Sequence, residues 1–488
     1  MPSAEGGILE KGGQMDQSGT AGSAFYIDTA LYVLQSLRPS FLTRSPARTT
    51  RLRRTAWLDG LRGFAAFLVY VQHNELWAHE GDDSERKMQS SYGYRGERWF
   101  CTLPIVRVFF TGGHLAVAIF FIVSGYVLSA KPLALVYAGD HAALSDALAS
   151  AFFRRWFRLY LPIVVVTFIM CSWYHWTGIL TPFIPEATWG QEVWKWYAEL
   201  KTYTFIYGAP KQPWFSYQPH TWTIPIEMRG SLLVWMTVLS LSRTNRKGRL
   251  FGVGFMIWYC MYIVDGSFFS LFLTGLLLCD LDMHEAPEYY PDWVVSLKPY
   301  ETPIAYFALI VGLCVGGVPS FIPEMDYFRE NPGWRFLSHF KPQAVFDFKW
   351  FFLFWAGILI ILSVQRIPWA KRFCETRFCL YLGRVSYMLY LVHGPVLWTL
   401  GDRVYAAVGL GRTAQSLVLP HWTNRFPLPK WGPMGLEVNF LMTQLILMPV
   451  TFWLADVGTT FVDGPAIKFG TWLYAQFVPP TPRSQIPK

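Results

Sequence analysis

The sequence contains ten long stretches of mostly apolar residues, and these leave few options for the fold. Each stretch has about 16 to 24 residues, close to the roughly 20 residues with which a helix crosses the hydrocarbon core of a bilayer. Charged residues make up only 15% of the 488 residues, against about 25% in soluble domains. We therefore expect an all-α, polytopic membrane bundle with about ten transmembrane helices. The stretches are 56–78, 107–130, 156–175, 222–242, 249–264, 267–283, 303–319, 350–365, 381–400 and 439–462.

The charges in the connections predict how this bundle is oriented in the lipid bilayer. Basic residues cluster at 154–158, 243–249 and 366–377, and an excess of Lys and Arg marks the cytoplasmic side. This pattern favours a cytoplasmic N-terminus and a cytoplasmic C-terminus, although the acidic connection 284–302 departs from it. The stretches 249–264 and 267–283 form either one membrane hairpin or a re-entrant segment. The opposite connections mix both signs and are rich in Trp, Tyr and Pro; they are 79–106, 176–221, 320–349 and 401–438.

Composition divides the chain into three parts. Residues 1–55 form a polar and then basic cytoplasmic arm, in which 24–37 could form an amphipathic helix. Residues 56–465 form the membrane domain, and residues 466–488 a cytoplasmic tail. The net charge of +9 comes from short clusters without a nucleic-acid-binding motif, and the seven Cys lack the spacing of a disulfide framework or a zinc site. We expect neither a nucleic-acid partner nor a bound metal.

Ionisable residues inside the first apolar stretch point to function, because burying an unpaired charge in a membrane is costly. Arg62 and His73 are eleven residues apart, which places them on one face of a helix and roughly 16 Å from each other. Two structural interpretations remain open. Arg62 could anchor the helix at the cytoplasmic interface, and His73 could hydrogen-bond to a neighbouring helix.

Glu227 and His393 fall at a depth similar to that of His73 within their own stretches. Glu227 could neutralise charge near the interface, and His393 lies just before a proline, where it could bond a carbonyl freed by a kink. Three polar groups at one depth are better explained by one wet cavity. Arg155 and Arg158 are one helical turn apart, and they suit a phosphate group as well as a cytoplasmic positive cluster.

The order of these residues resembles the integral-membrane acyltransferase family 3, whose members transfer acyl groups, often acetyl, to hydroxyls. The resemblance extends over about residues 57–463. The first motif and the long outer connections look most like fungal members that acylate small metabolites. The matching motifs are Asp59-Gly60-Leu61-Arg62-Gly63 with His73, the run from Phe120 through Ser124 to Tyr126, Arg155-x-x-Arg158, Trp222-x4-Glu227, Ser386-Tyr387 through His393, and Val462-Asp463-Gly464-Pro465.

The resemblance implies a ten-helix core, a cytoplasmic acyl-CoA donor as co-substrate and no permanently bound cofactor. The family's catalytic histidine matches His73, and an acidic family position matches Glu227. Pro225 departs from the family's usual residues before this acid. The other matches are the donor-side arginines Arg62, Arg155 and Arg158 and the substrate-site candidates Ser124, Trp222, Tyr387 and His393.

We therefore expect an acyl-CoA-dependent O-acyltransferase, with acetyl as the transferred group. It would act on a hydroxyl of a small lipophilic acceptor in secondary metabolism of the terpenoid or polyketide type, in the endoplasmic reticulum or another endomembrane. His73 would accept the proton of the hydroxyl or carry the acyl group itself. Two other functions stay open: a proton-coupled secondary transporter, which His and Glu residues at mid-membrane also suit, and an acyltransferase acting on a carbohydrate.

Overall fold

The computed structural model describes residues 52–80, 84–179, 184–208, 214–283, 291–411 and 417–479, together with Leu37. The amphipathic helix predicted at 24–37 and most of the N-terminal arm lie outside the described residues. The chain divides into two compact units, Met1–Thr49 and Thr50–Lys488. In the described part of the chain the second unit is helical and contains no strand, which confirms the all-α fold class.

Twelve helices longer than ten residues form the described bundle, and they are numbered in chain order. They are α1 (Ala56–Ala78), α2 (Gly113–Tyr137), α3 (His141–Thr177), α4 (Trp189–Tyr203), α5 (Thr223–Ser240), α6 (Arg246–Trp258), α7 (Ser267–Asp282), α8 (Glu301–Gly316), α9 (Phe348–Arg366), α10 (Arg377–Val396), α11 (Val438–Gly458) and α12 (Gly464–Phe477). Short α-helices lie at Ser84–Gln89, Val108–Thr111, Asp292–Ser296, Met325–Glu330, Trp334–Leu337, Pro368–Cys374 and Asp402–Ala407. Single turns of 3₁₀ helix occupy Tyr94–Gly96, Phe100–Thr102, Pro219–Trp222, Lys298–Tyr300 and Ser338–Phe340, and π-helical turns occupy Tyr259–Ile263, Leu397–Gly401 and Thr459–Asp463.

Each of the ten predicted apolar stretches lies on one of these helices. By length and composition, five helices are long and apolar enough to cross a membrane, and the total of ten spans stays a prediction. The five are Gly113–Tyr137, His141–Thr177, Lys298–Gly316, Phe348–Arg366 and the continuous helical segment Val438–Phe477.

Two helices extend beyond their predicted limits. α3 begins at His141, well before the apolar stretch that starts at 156, because the Asp140 carboxylate caps it by accepting a hydrogen bond from the Ala143 amide over 2.9 Å. At the C-terminal end, where a tail is predicted from 466, α12 is helical to Phe477 and packs against α3. The rings of Phe153 and Tyr474 are 5.4 Å apart across this contact.

Glycines of the first motif bring α1 into backbone contact with its neighbours. A Cβ at Gly60 would collide with the carbonyl oxygen of Cys374, and one at Gly63 would collide with the backbone of α10 at Gly383. Only residues without a side chain permit so close an approach. The contact brings Arg62 Nη2 within 3.0 Å of the Gly383 carbonyl oxygen, so the motif fixes this arginine in place.

The contacts between α1 and α2 define two levels along the bundle axis, one at His73 and one at Arg62. The amide of Gly113, the first residue of α2, donates to Gln72 Oε1 over 2.6 Å, beside His73. α2 then runs back along α1, and Ser124, eleven residues further on, falls near the level of Arg62. These two levels are separated by roughly 16 Å along the helix axis.

Candidate active site

A cavity of about 210 Å³ lies between α1, α2, α3, α5 and α10 at the level of Arg62. We call it the arginine cavity. Residues from all six matching motifs line it, although these motifs are spread over about four hundred positions of the sequence. The sequence-predicted residues on its wall are Arg62, Ser124, Arg155, Arg158, Glu227 and Tyr387, and Asp463 of the last motif joins them.

A buried ion pair forms one wall of the arginine cavity. Arg155 donates from Nη2 to Oε1 of Glu227 over 2.6 Å and from Nε to the Ser231 hydroxyl over 2.9 Å. The Ser124 hydroxyl donates to the same Glu227 oxygen. The side chains of Arg155 and Glu227 are only 8% and 16% exposed, so each satisfies a charge that would otherwise be buried alone.

This pair differs from the arrangement that the apolar stretches suggest. With a helix start at 156, Arg155 would lie at the cytoplasmic surface, far from Glu227 near the opposite end of its own stretch. Because α3 begins at His141, Arg155 lies well inside the helix and meets Glu227. The carboxylate of Glu227 is therefore bound to Arg155 and Ser124.

Arg62 and Arg158 add positive charge to the cavity. Nη2 of Arg62 lies 3.3 Å from Oδ1 of Asp59, and in the described part of the chain its buried Nε has no hydrogen-bond partner. Asp463, at the end of the π-helical turn after α11, faces the same space as Arg158. With Arg384 as the fourth, four arginines and the two acids Glu227 and Asp463 line the cavity. Its lining therefore has a net charge of about +2, which suits an anionic ligand.

Three histidines meet at the other level of the bundle. The ring centroids of His73 and His220 are 3.9 Å apart, and that of His393 is 5.0 Å from His73 and 4.9 Å from His220. We call these residues the histidine cluster. His73 comes from α1, His393 from α10, and His220 from the 3₁₀ turn that precedes α5.

His220 is the site residue that the sequence reasoning missed. It lies two residues before Trp222, outside the apolar stretch that begins there, so the search for ionisable residues within spans passed over it. Its position seven residues before Glu227 was the available signal, because a 3₁₀ turn running into α5 keeps both residues on one continuous segment.

Hydrogen bonds to the backbone fix the proton positions in two of the rings. His73 Nδ1 lies 2.9 Å from the Val69 carbonyl oxygen, and His393 Nδ1 lies 3.1 Å from that of Leu389. A carbonyl oxygen can only accept, so both rings carry their proton on Nδ1. The Nε2 atoms are thereby left as acceptors, and Nε2 of His393 is buried with no partner among the residues that the structure describes.

Tyr390 connects the two levels. Its hydroxyl donates to the backbone carbonyl of His220 and accepts from the Thr223 hydroxyl, whose oxygen is 2.8 Å away. Both Tyr390 and Thr223 line the arginine cavity. The end of the cavity that faces the histidine cluster is therefore linked to the backbone of His220 by a hydrogen bond.

Of the two predicted substrate-site candidates Tyr387 and Trp222, the first lies at the arginine cavity and the second does not. The Tyr387 hydroxyl donates to the Leu159 carbonyl, so it ties α10 to α3 beside the cavity. Trp222 does not line the cavity and packs among aromatic rings, with centroids 5.7 Å from Phe268 and 5.9 Å from Trp350.

The histidine cluster is also the group that could hold a metal, since each ring offers a nitrogen within 4.8 Å of the other two. Two imidazoles bound to one zinc ion have ring centroids roughly 5 Å apart. The distances from His393 fit this value, but the 3.9 Å between His73 and His220 is too short. The geometry therefore does not favour a single metal ion held by all three rings.

Comparisons with known proteins bear on what this arrangement does. A family model described as an acyltransferase domain matches residues 55–459. The O-acetyltransferase PaAT-1 of Phomopsis amygdali is 28% identical over 484 residues, covering 91% of this chain and 88% of the relative. Acyltransferase clz18 of Cochliobolus lunatus is 22% identical, and acyltransferase R4 of a Phoma species is 23% identical; each alignment covers 86% of this chain and 96% of the relative. No solved structure matches the chain.

The matched region contains the whole histidine cluster and every residue that lines the arginine cavity except Asp463, which lies four residues beyond it. It spans well over half of the chain, and the relatives align over nearly their full lengths. Together with the apolar helices, these matches identify a membrane protein that carries out acyl transfer. The chain belongs to the membrane acyltransferase family 3, of the fungal type that its motifs resemble.

Proposed function

We propose that this protein transfers an acetyl group from acetyl-CoA to a hydroxyl of a small lipophilic acceptor. The observation that carries the proposal is the spacing of the two sites: the arginine cavity and the histidine cluster lie roughly 16 Å apart along α1, with Tyr390 between them. The fungal relatives, an O-acetyltransferase and two acyltransferases, support the reaction class. We further propose secondary metabolism as the context and an endomembrane as the location.

This spacing suits the shape of the donor. The pantetheine arm of CoA has about thirteen bonds between its phosphate and its sulfur, a little more than four extended residues, or roughly 15 Å. Phosphates bound by Arg62 and Arg158 would thus place the thioester beside His73. Arg155 is held by Glu227 and Ser231, so its role is to complete the positive wall and to orient Glu227.

In the proposed reaction, His73 acts as a general base. Its Nδ1–H is fixed on the Val69 carbonyl, so Nε2 accepts the proton of the acceptor hydroxyl. The hydroxyl oxygen attacks the thioester carbon, the carbon–sulfur bond breaks, and the CoA thiolate takes the proton from His73. The rival is an acyl-histidine intermediate. Rapid quenching with radioactive acetyl-CoA and no acceptor separates the two, because a labelled His73 would rule out direct transfer.

Replacing Arg158 by glutamine is expected to raise the KM for acetyl-CoA by about 10- to 100-fold, the effect of losing one hydrogen bond to a charged group. The kcat should change much less, because a phosphate far from the thioester is bound alike in the ground state and the transition state. Steady-state kinetics on membranes measures both constants. Arg154→Gln is the matched control, since Arg154 bonds the Ser150 carbonyl on the same helix. An unchanged KM in Arg158→Gln would remove this residue from the donor site.

Removing metal ions is expected to leave the turnover unchanged. The short distance between the rings of His73 and His220 argues against one ion bound by both. Purified enzyme dialysed against a strong chelator should keep its initial rate of acetyl-CoA consumption. A loss of activity that zinc restores would contradict this expectation and assign the three histidines as metal ligands.

A further inference from the structure

A second cavity, of about 870 Å³, is not used by the proposed reaction. It is lined by the segment before α1, the ends of α7 and α9, and the start of α8. We call it the basic groove. Tyr126 of α2 faces it, whereas Ser124 and Val127 face the arginine cavity, so α2 separates the two cavities.

The rim of the basic groove carries excess positive charge. Four basic residues and two acids line it, which leaves a net charge of +2. The acids are already satisfied: Asp282 accepts hydrogen bonds of 3.1 Å from both Tyr126 and Gln365, and Glu301 lies 2.9 Å from Arg366. The basic residues are Arg54, Lys298, Arg366 and Lys371.

Two lysines of the rim remain available for a ligand. Among the described residues, neither Lys298 nor Lys371 has an ion-pair partner. Lys298 belongs to the 3₁₀ turn before α8, and Lys371 belongs to the short helix that follows α9. They reach the groove from separate segments of the chain, so an anion between them would be held from two sides.

The walls of the groove are apolar and open to the outside. Leu297 and Ile304 are 43% and 45% exposed, and Leu359 and Leu362 of α9 face the same space. In the most apolar window of Lys298–Gly316, only 17% of the residues are buried. An apolar wall that leads to a helix surface of this kind suits a hydrocarbon chain more than a soluble ion.

These observations point to an amphiphile with an anionic head, and we propose that the basic groove binds an anionic phospholipid of the cytoplasmic leaflet. The phosphate lies between Lys298 and Lys371, and an acyl chain runs along α8 and α9. Basic pockets between membrane helices on the cytoplasmic side bind such headgroups. A free phosphate would use the rim alone and leave the apolar wall exposed.

The groove includes two charged residues of the connection 284–302, whose acidic character departs from the predicted charge pattern. Its residue Lys298 meets Arg54, Arg366 and Lys371 from other parts of the chain, and its residue Glu301 is paired with Arg366. The positive charge around the proposed headgroup therefore comes from residues that are far apart in the sequence.

The test is lipid retention by the purified full chain. Protein is extracted from vesicles of equal phosphatidylserine and phosphatidylcholine, and bound lipid is counted by native mass spectrometry without acetyl-CoA. We expect one phosphatidylserine per chain and at least a fivefold loss in the double variant Lys298→Gln/Lys371→Gln. The double variant Lys247→Gln/Lys468→Gln removes two exposed lysines elsewhere and should retain the lipid. Equal retention in both double variants, or none in the wild type, would overturn the proposal.

A second variant separates a lipid from a free phosphate. Ala308→Phe fills the apolar wall and leaves every charge of the rim in place, so it should lose the lipid as well. If inorganic phosphate displaces the lipid while Ala308→Phe retains it, the groove is a phosphate site and the lipid proposal fails. His73→Ala should retain the lipid as the wild type does, so a failure of the proposed reaction and a failure of this proposal give different results.

Discussion

Replacing His73 by alanine is expected to lower acetyl-CoA turnover by about 10³-fold, within the range that general acid–base catalysis contributes. The structure gives the reason: His73 has its Nδ1–H fixed by the Val69 carbonyl and faces two further imidazoles. Its Nε2 is therefore a base in a set orientation. Thiol release from acetyl-CoA, compared at equal amounts of membrane-inserted protein, measures the effect.

His114→Gln is the matched control for this loss. His114 lies close to the cluster but packs edge-on against Trp350, with centroids 6.0 Å apart, so its replacement should cost much less turnover. Added imidazole should restore part of the activity of His73→Ala, which a merely structural role would not allow. Unchanged turnover in His73→Ala would remove the catalytic assignment altogether.

Breaking the ion pair between Arg155 and Glu227 is expected to have the largest effect on stability. Arg155→Met leaves the Glu227 carboxylate buried without its cation, which typically lowers the free energy of unfolding by about 3–5 kcal/mol. In the double variant Arg155→Met/Glu227→Gln no unpaired charge remains, so most of this loss should be recovered. Turnover should stay low in the double variant, because the carboxylate of Glu227 and the guanidinium that orients it are both missing from the cavity.

The free cysteines provide the measurement of unfolding in detergent. All seven are unpaired, and five of them are buried. Burial raises the pKa of the Cys101 thiol, in the connection between α1 and α2, to about 12, so it reacts with a thiol-specific dye only after the fold opens. Arg229→Met is the control, since within the described ranges Arg229 donates to the backbone carbonyls of Ile206 and Gly208 and has no carboxylate partner. A double variant as unstable as Arg155→Met would show that the two residues do not act as a pair.

The helices could be predicted where apolar composition alone defines them. α1 spans Ala56–Ala78, the limits expected from its hydropathy. The start of α3 could not be predicted in this way, because the residues between His141 and Arg155 mix apolar and polar side chains and their helix depends on the Asp140 cap. Hydropathy measures transfer into lipid, whereas capping is a local hydrogen bond that it does not detect.

Most residues of the candidate site could be predicted from the sequence, but the contacts between them could not. Ionisable residues inside apolar stretches identified His73, Glu227 and His393, and the structure places the two histidines in one cluster. The partner of Glu227 could not be identified, because depth estimated along a single stretch fixes neither the rotation of a helix nor its true start. His220 was missed for a related reason, since a residue outside a span enters the site only through the turn before α5.

The glycine contacts between α1 and α10 have a consequence for donor selection. Gly63 and Gly383 bring two backbones into contact, so α1, which carries Arg62 and His73, packs closely against α10, which carries His393. Under the proposed function, the fixed spacing of Arg62 and His73 along α1 sets the distance between the bound phosphate and the thioester. That distance is the same in every acyl-CoA, so the spacing of these two residues does not select a donor by the length of its acyl chain. Selection for acetyl must then come from the space beyond the histidines, where the acyl group meets the acceptor.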